Sequence, residues 1–362
     1  MTNSHSPKVV DAQHYAAIED RFAQLLRAPG MFLLQGEAMV PLEAIARSIG
    51  RPGARALNIV TGPYGEGFGR WLAHQRVVVE NLIVPFNRAV TPDEVRATLS
   101  REEQFDLVCV VHAEAATGVV NNVAEIAALA HDAGALTVVD AVASVGAEPL
   151  EIEAWGLDVT VVSAQKALGG PAGVTGVAIS AAAWAAIEAN PSAPHDSVLS
   201  LLDWRDNWLT GERTALPTIP NHLETLALDA TMTSLESEGL DHVIARHAAA
   251  RDACRRGIRA LGLAPWVDED DEAAAVATTV AVPHGVVASE LDDAARSARP
   301  ELTLILGVAP GPLRFEALRV SHTGLRATTP DVLAAIQALG SGLRRLDIEC
   351  DIDQATAAVL TT

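Results

Sequence analysis

Residues Val138 to Gly170 read VVDAVASVGAEPLEIEAWGLDVTVVSAQKALGG. Two short β-branched runs, Leu136–Asp140 and Val159–Ser163, have the pattern of buried strands. The first ends on a carboxylate, Asp140, and the second is followed within a few residues by an amine, Lys166. In an open α/β sheet the ligand crevice lies beyond the carboxyl ends of the strands, so both groups are expected to face one crevice. The amine is the sharper signal. Lysine and arginine together number 26, yet only Lys8 and Lys166 are lysines. Arginine serves where a generic cation is wanted, but it cannot replace an amine that must lose its proton and attack a carbonyl.

Outward from this stretch, strands are expected at Ala56–Thr61, Leu107–Val111 and Val174–Ile179, alternating with helices at Leu42–Ile49, Gly65–His74, Pro92–Leu99, Val123–Asp132 and Ala181–Ala189. Buried strands alternating with helices predict an α/β fold whose mostly parallel sheet is sandwiched by helices. Beyond Pro217 and Pro220, helical periodicity runs from Leu223 to about Ala260. Strands at Thr278–Val282, Leu302–Leu306 and Leu318–Ser321 and a helix at Pro330–Arg345 then predict a smaller C-terminal α+β domain. The expected division is an N-terminal helical arm over 1–30, a large domain over 31–240 and a small domain over 241–362. A dinucleotide fold is disfavoured, because Gly62-Pro63-Tyr64-Gly65-Glu66-Gly67 has its glycines in the wrong order.

Composition narrows the function. A net charge of −20 argues against nucleic acid or an anionic membrane as partner, since both need clustered Lys and Arg; small-molecule substrates are expected. Three cysteines with no CxxC spacing offer neither a disulfide framework nor a zinc site, which suits a reducing cytoplasm. The first residues lack the apolar core of a signal peptide, and the uncharged run Ala167–Ile187 is broken by glycines and Pro171, so neither export nor a membrane span is expected.

Asp140 and Lys166, 26 positions apart, could flank one flat ligand. A pyridine aldehyde fits: the lysine forms a Schiff base with the carbonyl, and the aspartate keeps the ring nitrogen protonated so that the ring accepts electrons.

The segment from Val138 to Ala172 resembles the class V branch of the fold type I pyridoxal-phosphate aminotransferases, whose pattern is VDxVSSLGG…DxxxxxSQKxLxxPPG. By that resemblance Lys166 is the Schiff-base lysine, Asp140 the partner of the pyridinium nitrogen and Tyr64 the ring stacked on the pyridine. Gln165, beside the lysine, belongs to the same cofactor-binding set. Arg319, in Leu318-Arg319-Val320-Ser321-His322, matches the arginine that clasps the substrate carboxylate. The family places its site at a subunit interface, which implies a homodimer or a dimer of dimers.

A further likeness, in Tyr64–Trp71, Ala183–Pro194 and Ser197–Trp204, is to family members that take unphosphorylated pyridoxamine and pyridoxal as substrates in vitamin B6 degradation. Those members carry a glutamate after a loop glycine, where others place a small hydroxyl residue that binds the cofactor phosphate; Glu37 follows Gly36 here. A glutamate there is also a favourable helix cap. Two other phosphate anchors are replaced: Ala215 stands where a partner-subunit tyrosine is expected, although Thr218 remains, and Ala115 stands where the family loop supplies a hydroxyl. A second substrate-binding arginine has no counterpart in Gly307–Pro312, and Arg314 is out of register. The expected reaction is therefore transfer of the pyridoxamine amino group to a 2-oxo acid such as pyruvate. The alternatives are a conventional member using pyridoxal 5′-phosphate and a non-enzymatic B6 binder.

Overall fold

A computed structural model of the chain describes residues 9–298, 306–309 and 311–361. Nine strands precede residue 180: β1 Phe32–Gln35, β2 Arg55–Val60, β3 Val78–Ile83, β4 Leu107–Val111, the short β5 Ala113–Glu114 and β6 Val119–Val120, β7 Leu136–Asp140, β8 Val159–Ser163 and β9 Val174–Ile179. Seven form one sheet in the order β3-β2-β4-β7-β8-β9-β1, while β5 and β6 make a separate hairpin. Within the seven, β9 pairs antiparallel with both β8 and β1, and the remaining pairs are parallel. Consequently β1, β2, β4, β7 and β8 all direct their carboxyl ends to the same edge of the sheet.

Helices α1 Ala12–Leu25, α2 Met39–Ile49, α3 Pro63–His74, α4 Pro92–Leu99, α5 Val123–Asp132, α6 Ala181–Glu188, α7 Leu201–Trp204 and α8 His222–Glu238 accompany this sheet. They share a core with it that includes Phe32, Ile45, Leu57, Ile126 and Val161. The first helix is pinned to β1: Tyr15 O–H donates to Leu33 O at 2.8 Å, and Leu33 N–H donates to Glu19 Oε2 at 2.8 Å.

A second core, including Ile258, Leu318, Ile336 and Leu339, lies among α9 Leu240–Ala260, α10 Ala288–Ala298, α11 Thr329–Arg345, α12 Ile352–Leu360 and a three-stranded antiparallel sheet. That sheet is β10 Thr278–Ala281, β12 Ala317–Val320 and β11 Leu306–Val308, with β12 central and Arg319 opposite both Thr279 and Gly307. The strand expected at Leu302–Leu306 lies, apart from its last residue, outside the described residues.

The two regions meet backbone to backbone behind the loop that carries Lys166. Gly324 has φ +59°, and a Cβ there would stand 3.1 Å from both Gly169 Cα and Lys166 O. His247 and Arg246 of α9 fasten the Gly324 side of this contact, the imidazole Nε2 accepting from Gly324 N–H at 3.1 Å and the guanidinium donating to Gly324 O at 2.7 Å. Among the described residues no helix is long and apolar enough to cross a membrane.

Candidate active site

Five strand ends supply the groups singled out in the sequence. Asp140 is the last residue of β7, Lys166 and Gln165 follow β8, Tyr64 follows β2, Glu37 follows β1, and Ala115 follows β4 through the short β5. Backbone geometry thus brings together what the sequence separates. All six line one cavity of about 100 Å³.

Asp140 Oδ1 accepts the Val142 N–H at 2.9 Å. Burial raises its carboxyl to about 6, opposed by that hydrogen bond and by the Lys166 charge. Burial, and next the Arg319 guanidinium, holds Lys166 below the ordinary lysine range, while Glu37 and Asp140 act in the opposite sense. The amine therefore has the electrostatic setting of an activated nucleophile.

Tyr64 sits in the first turn of α3, just after Gly62 and Pro63. Its N–H and that of Gly65 donate to Glu114 Oε2 at 3.2 and 3.4 Å. A Cβ on Gly62 would overlap the Glu114 side chain, so this turn is shaped around a buried carboxylate. Sequence reasoning did not single out Glu114. It is 0% exposed, and burial pushes it up to about 8, opposed by the N–H groups of Gly65, Ala116 and Tyr64.

Gly36, at φ +136°, permits the bend from β1 into α2. Its N–H donates to Gly173 O at 2.9 Å, and its carbonyl accepts from Thr175 Oγ1 at 2.9 Å, fixing the loop against β9. Glu37 then turns back on the start of α2. Its Oε2 accepts the Met39 N–H at 3.0 Å and its Oε1 accepts Gln165 Nε2–H at 2.6 Å. One N–H of this helix start, a natural cradle for an anion, is thus taken by the chain's own carboxylate.

Arg319 comes from β12 and reaches the same region from the other side. It donates from Nη1 to Ala115 O at 3.3 Å and from Nε to Ser321 Oγ at 3.1 Å. No carboxylate among the described residues pairs with it, which leaves a largely buried cation facing Tyr64 and Lys166. Ala215 and Thr218 do not line the cavity, and the Thr218 hydroxyl is enclosed without a partner among the described residues. Arg314 lies over the ring of its neighbour Phe315 at 4.5 Å. No group of three or more His, Cys, Asp or Glu among the described residues is arranged to hold a metal.

The sequence profile described as aminotransferase class-V matches residues 10–296. The chain belongs to the class V aminotransferase family. Among relatives of this class V aminotransferase, the pyridoxamine–pyruvate transaminase of Mesorhizobium japonicum is 33% identical over 350 residues, 95% of this chain and 88% of that one. The serine–glyoxylate aminotransferase of Arabidopsis thaliana is 29% identical over 282 residues, covering 75% and 67%. The crystal structure of pyridoxamine–pyruvate aminotransferase from Mesorhizobium loti superposes with a TM-score of 0.91 at 31% identity, covering 99% of this chain and 91% of that one. The expected fold, a large domain with a mostly parallel sheet and a smaller C-terminal domain, is that of the family.

Class V aminotransferases depend on pyridoxal phosphate, so the donor set can be tested against that molecule. An acid, an amine and an aromatic ring lining one cavity fit a pyridine ring and its 4′ carbon. At the phosphate end, the helix start that would hold that group already has its Met39 N–H taken by Glu37 Oε2.

Proposed function

We propose that this class V aminotransferase moves the amino group of unphosphorylated pyridoxamine to a 2-oxo acid such as pyruvate, giving pyridoxal and L-alanine. The observation that carries this reading is Glu37 closing the start of α2 while bonded to Gln165. A phosphate about 4 Å from that carboxylate would be repelled by roughly 4 kcal/mol per pair of unit charges at an effective dielectric near 20. Ala115 offers no hydroxyl in compensation, and each missing charge-assisted hydrogen bond is worth about 1.5–3 kcal/mol.

The protonated ring supplies an electron sink; the chain supplies everything else. Asp140, as a carboxylate, holds the proton on the ring nitrogen. Tyr64 packs on the ring face, positioned through Glu114. Lys166 Nζ, kept largely desolvated, is the nucleophile toward the 4′ carbon and carries the proton between that carbon and carbon 2 of the acid. Arg319 orients the acid by its carboxylate. The same reading includes a homodimer or dimer of dimers, a cytoplasmic setting and a role in vitamin B6 breakdown.

Steady-state assays of pyridoxamine against its 5′-phosphate, each with pyruvate, oxaloacetate and glyoxylate, test the proposal. Saturable turnover of pyridoxamine that is lost in Lys166→Ala is expected. Turnover confined to the phosphorylated form, or a visible absorbance band of pyridoxal phosphate that survives gel filtration, would overturn it.

A further inference from the structure

We propose that Ser321 is a positioning residue for substrate carboxylate recognition. It acts by holding Arg319 so that only the terminal Nη1/Nη2 edge of the guanidinium is offered to the acid. The inference rests on Arg319 being the carboxylate clasp, and it adds a residue that no motif in the sequence marks.

A guanidinium can take a carboxylate side-on, through Nε–H and Nη2–H, or end-on, through the two terminal nitrogens. In this site the Nε–H is committed to Ser321 Oγ at 3.1 Å. One Nη1–H is committed to Ala115 O at 3.3 Å, on the wall of the cavity that also holds Lys166 and Asp140. Nη2 has no partner among the described residues, so the side-on edge is closed at Nε while free N–H groups remain on Nη2 and on the second hydrogen of Nη1. Ser321 lies immediately past the end of β12, and its hydroxyl is therefore set by the same strand that delivers Arg319. Two contacts on different elements stop the planar head from swinging about its last bonds, which preserves the directionality of the clasp and removes an ordering cost from binding.

The test uses the full-length protein with Ser321→Ala and Ser321→Thr, reading KM for pyruvate, KM for pyridoxamine, kcat, and calorimetric binding of pyruvate to the protein without added B6. Loss of one hydrogen bond to a charged group should raise the pyruvate KM and dissociation constant of Ser321→Ala by about tenfold. The pyridoxamine KM and kcat should stay within about twofold of the wild-type values, and Ser321→Thr, which keeps the hydroxyl, should restore pyruvate binding. An unchanged pyruvate KM in Ser321→Ala, or a parallel rise in both KM values that threonine does not rescue, would overturn the inference. If the wild-type protein instead takes only the phosphorylated donor, the proposed reaction fails, while the acid-specific split and pyruvate calorimetry still decide the role of Ser321.

Discussion

At Glu37 a carboxylate takes the Met39 N–H that an incoming anion would otherwise need, and its second oxygen engages Gln165. Replacing it by serine removes the negative charge and frees both donors. Glu37→Ser is therefore expected to lower the KM for pyridoxamine 5′-phosphate by about a hundredfold or more, part of the roughly 4 kcal/mol of repulsion, in a steady-state comparison of the two donors. In the proposed reaction Asp140 makes a different demand, because there it works only when ionised. With its carboxyl raised to about 6, the active form predominates above that pH and is lost below it. The pH profile of kcat/KM should accordingly fall on the acid side with a midpoint near 6. Asp140→Asn should cut kcat by about 10²- to 10⁴-fold and remove that acid limb, as read from initial rates between pH 5 and pH 8.

The elements explain which features of the chain could be read from its residues and which could not. Strands β4, β7, β8 and β9 coincide with the expected spans because each is a β-branched run buried on both faces. The four-residue β1 was too short to separate from a loop. An edge position broke the pattern of β3, whose Val78 and Ile83 are 50% and 62% exposed. Helices α10 and α12 were missed because each buries few large apolar side chains, Leu291 alone in α10 and Val359 alone in α12, with alanine filling much of the rest. The same limit applies at the site. Lys166 and Asp140 stand out by residue type and spacing and Tyr64 by the family resemblance, whereas Glu114 and Ser321 make hydrogen bonds to a turn and to another side chain, contacts with no regular spacing. The α3 turn offers a direct check. Gly62→Ala forces a Cβ into Glu114. It should destabilise the protein by about 1–3 kcal/mol in urea titrations. Because Tyr64 shares that turn, the pyridoxamine KM should rise as well.

Across the whole molecule, the two cores depend on neutral imidazoles where they meet. His322 Nδ1–H donates to Ala275 O at 3.0 Å and its Nε2 accepts from Thr278 Oγ1 at 2.8 Å, while His247 accepts from Gly324. Burial lowers both rings to about 4. The unfolded chain, with ordinary histidines near 6.5, binds more protons between those values, so this contribution to stability is full above about pH 6.5 and is lost as pH falls toward 4. The raised carboxyls of Asp140 and Glu114 act in the opposite sense, which makes the difference between wild type and variant the quantity to measure. His322→Gln should be less stable at pH 7 yet show a shallower loss between pH 7 and pH 5 in urea melts.

The glycine contact between Gly324 and the main chain of Lys166 and Gly169 has no side chain to cushion it. Any tilt of the C-terminal layer is transmitted directly to the backbone that carries Lys166. Mild denaturant should therefore silence turnover at concentrations where far-ultraviolet dichroism still reports an intact sheet. Coincident loss of both signals would mean instead that the C-terminal layer does not loosen ahead of the rest.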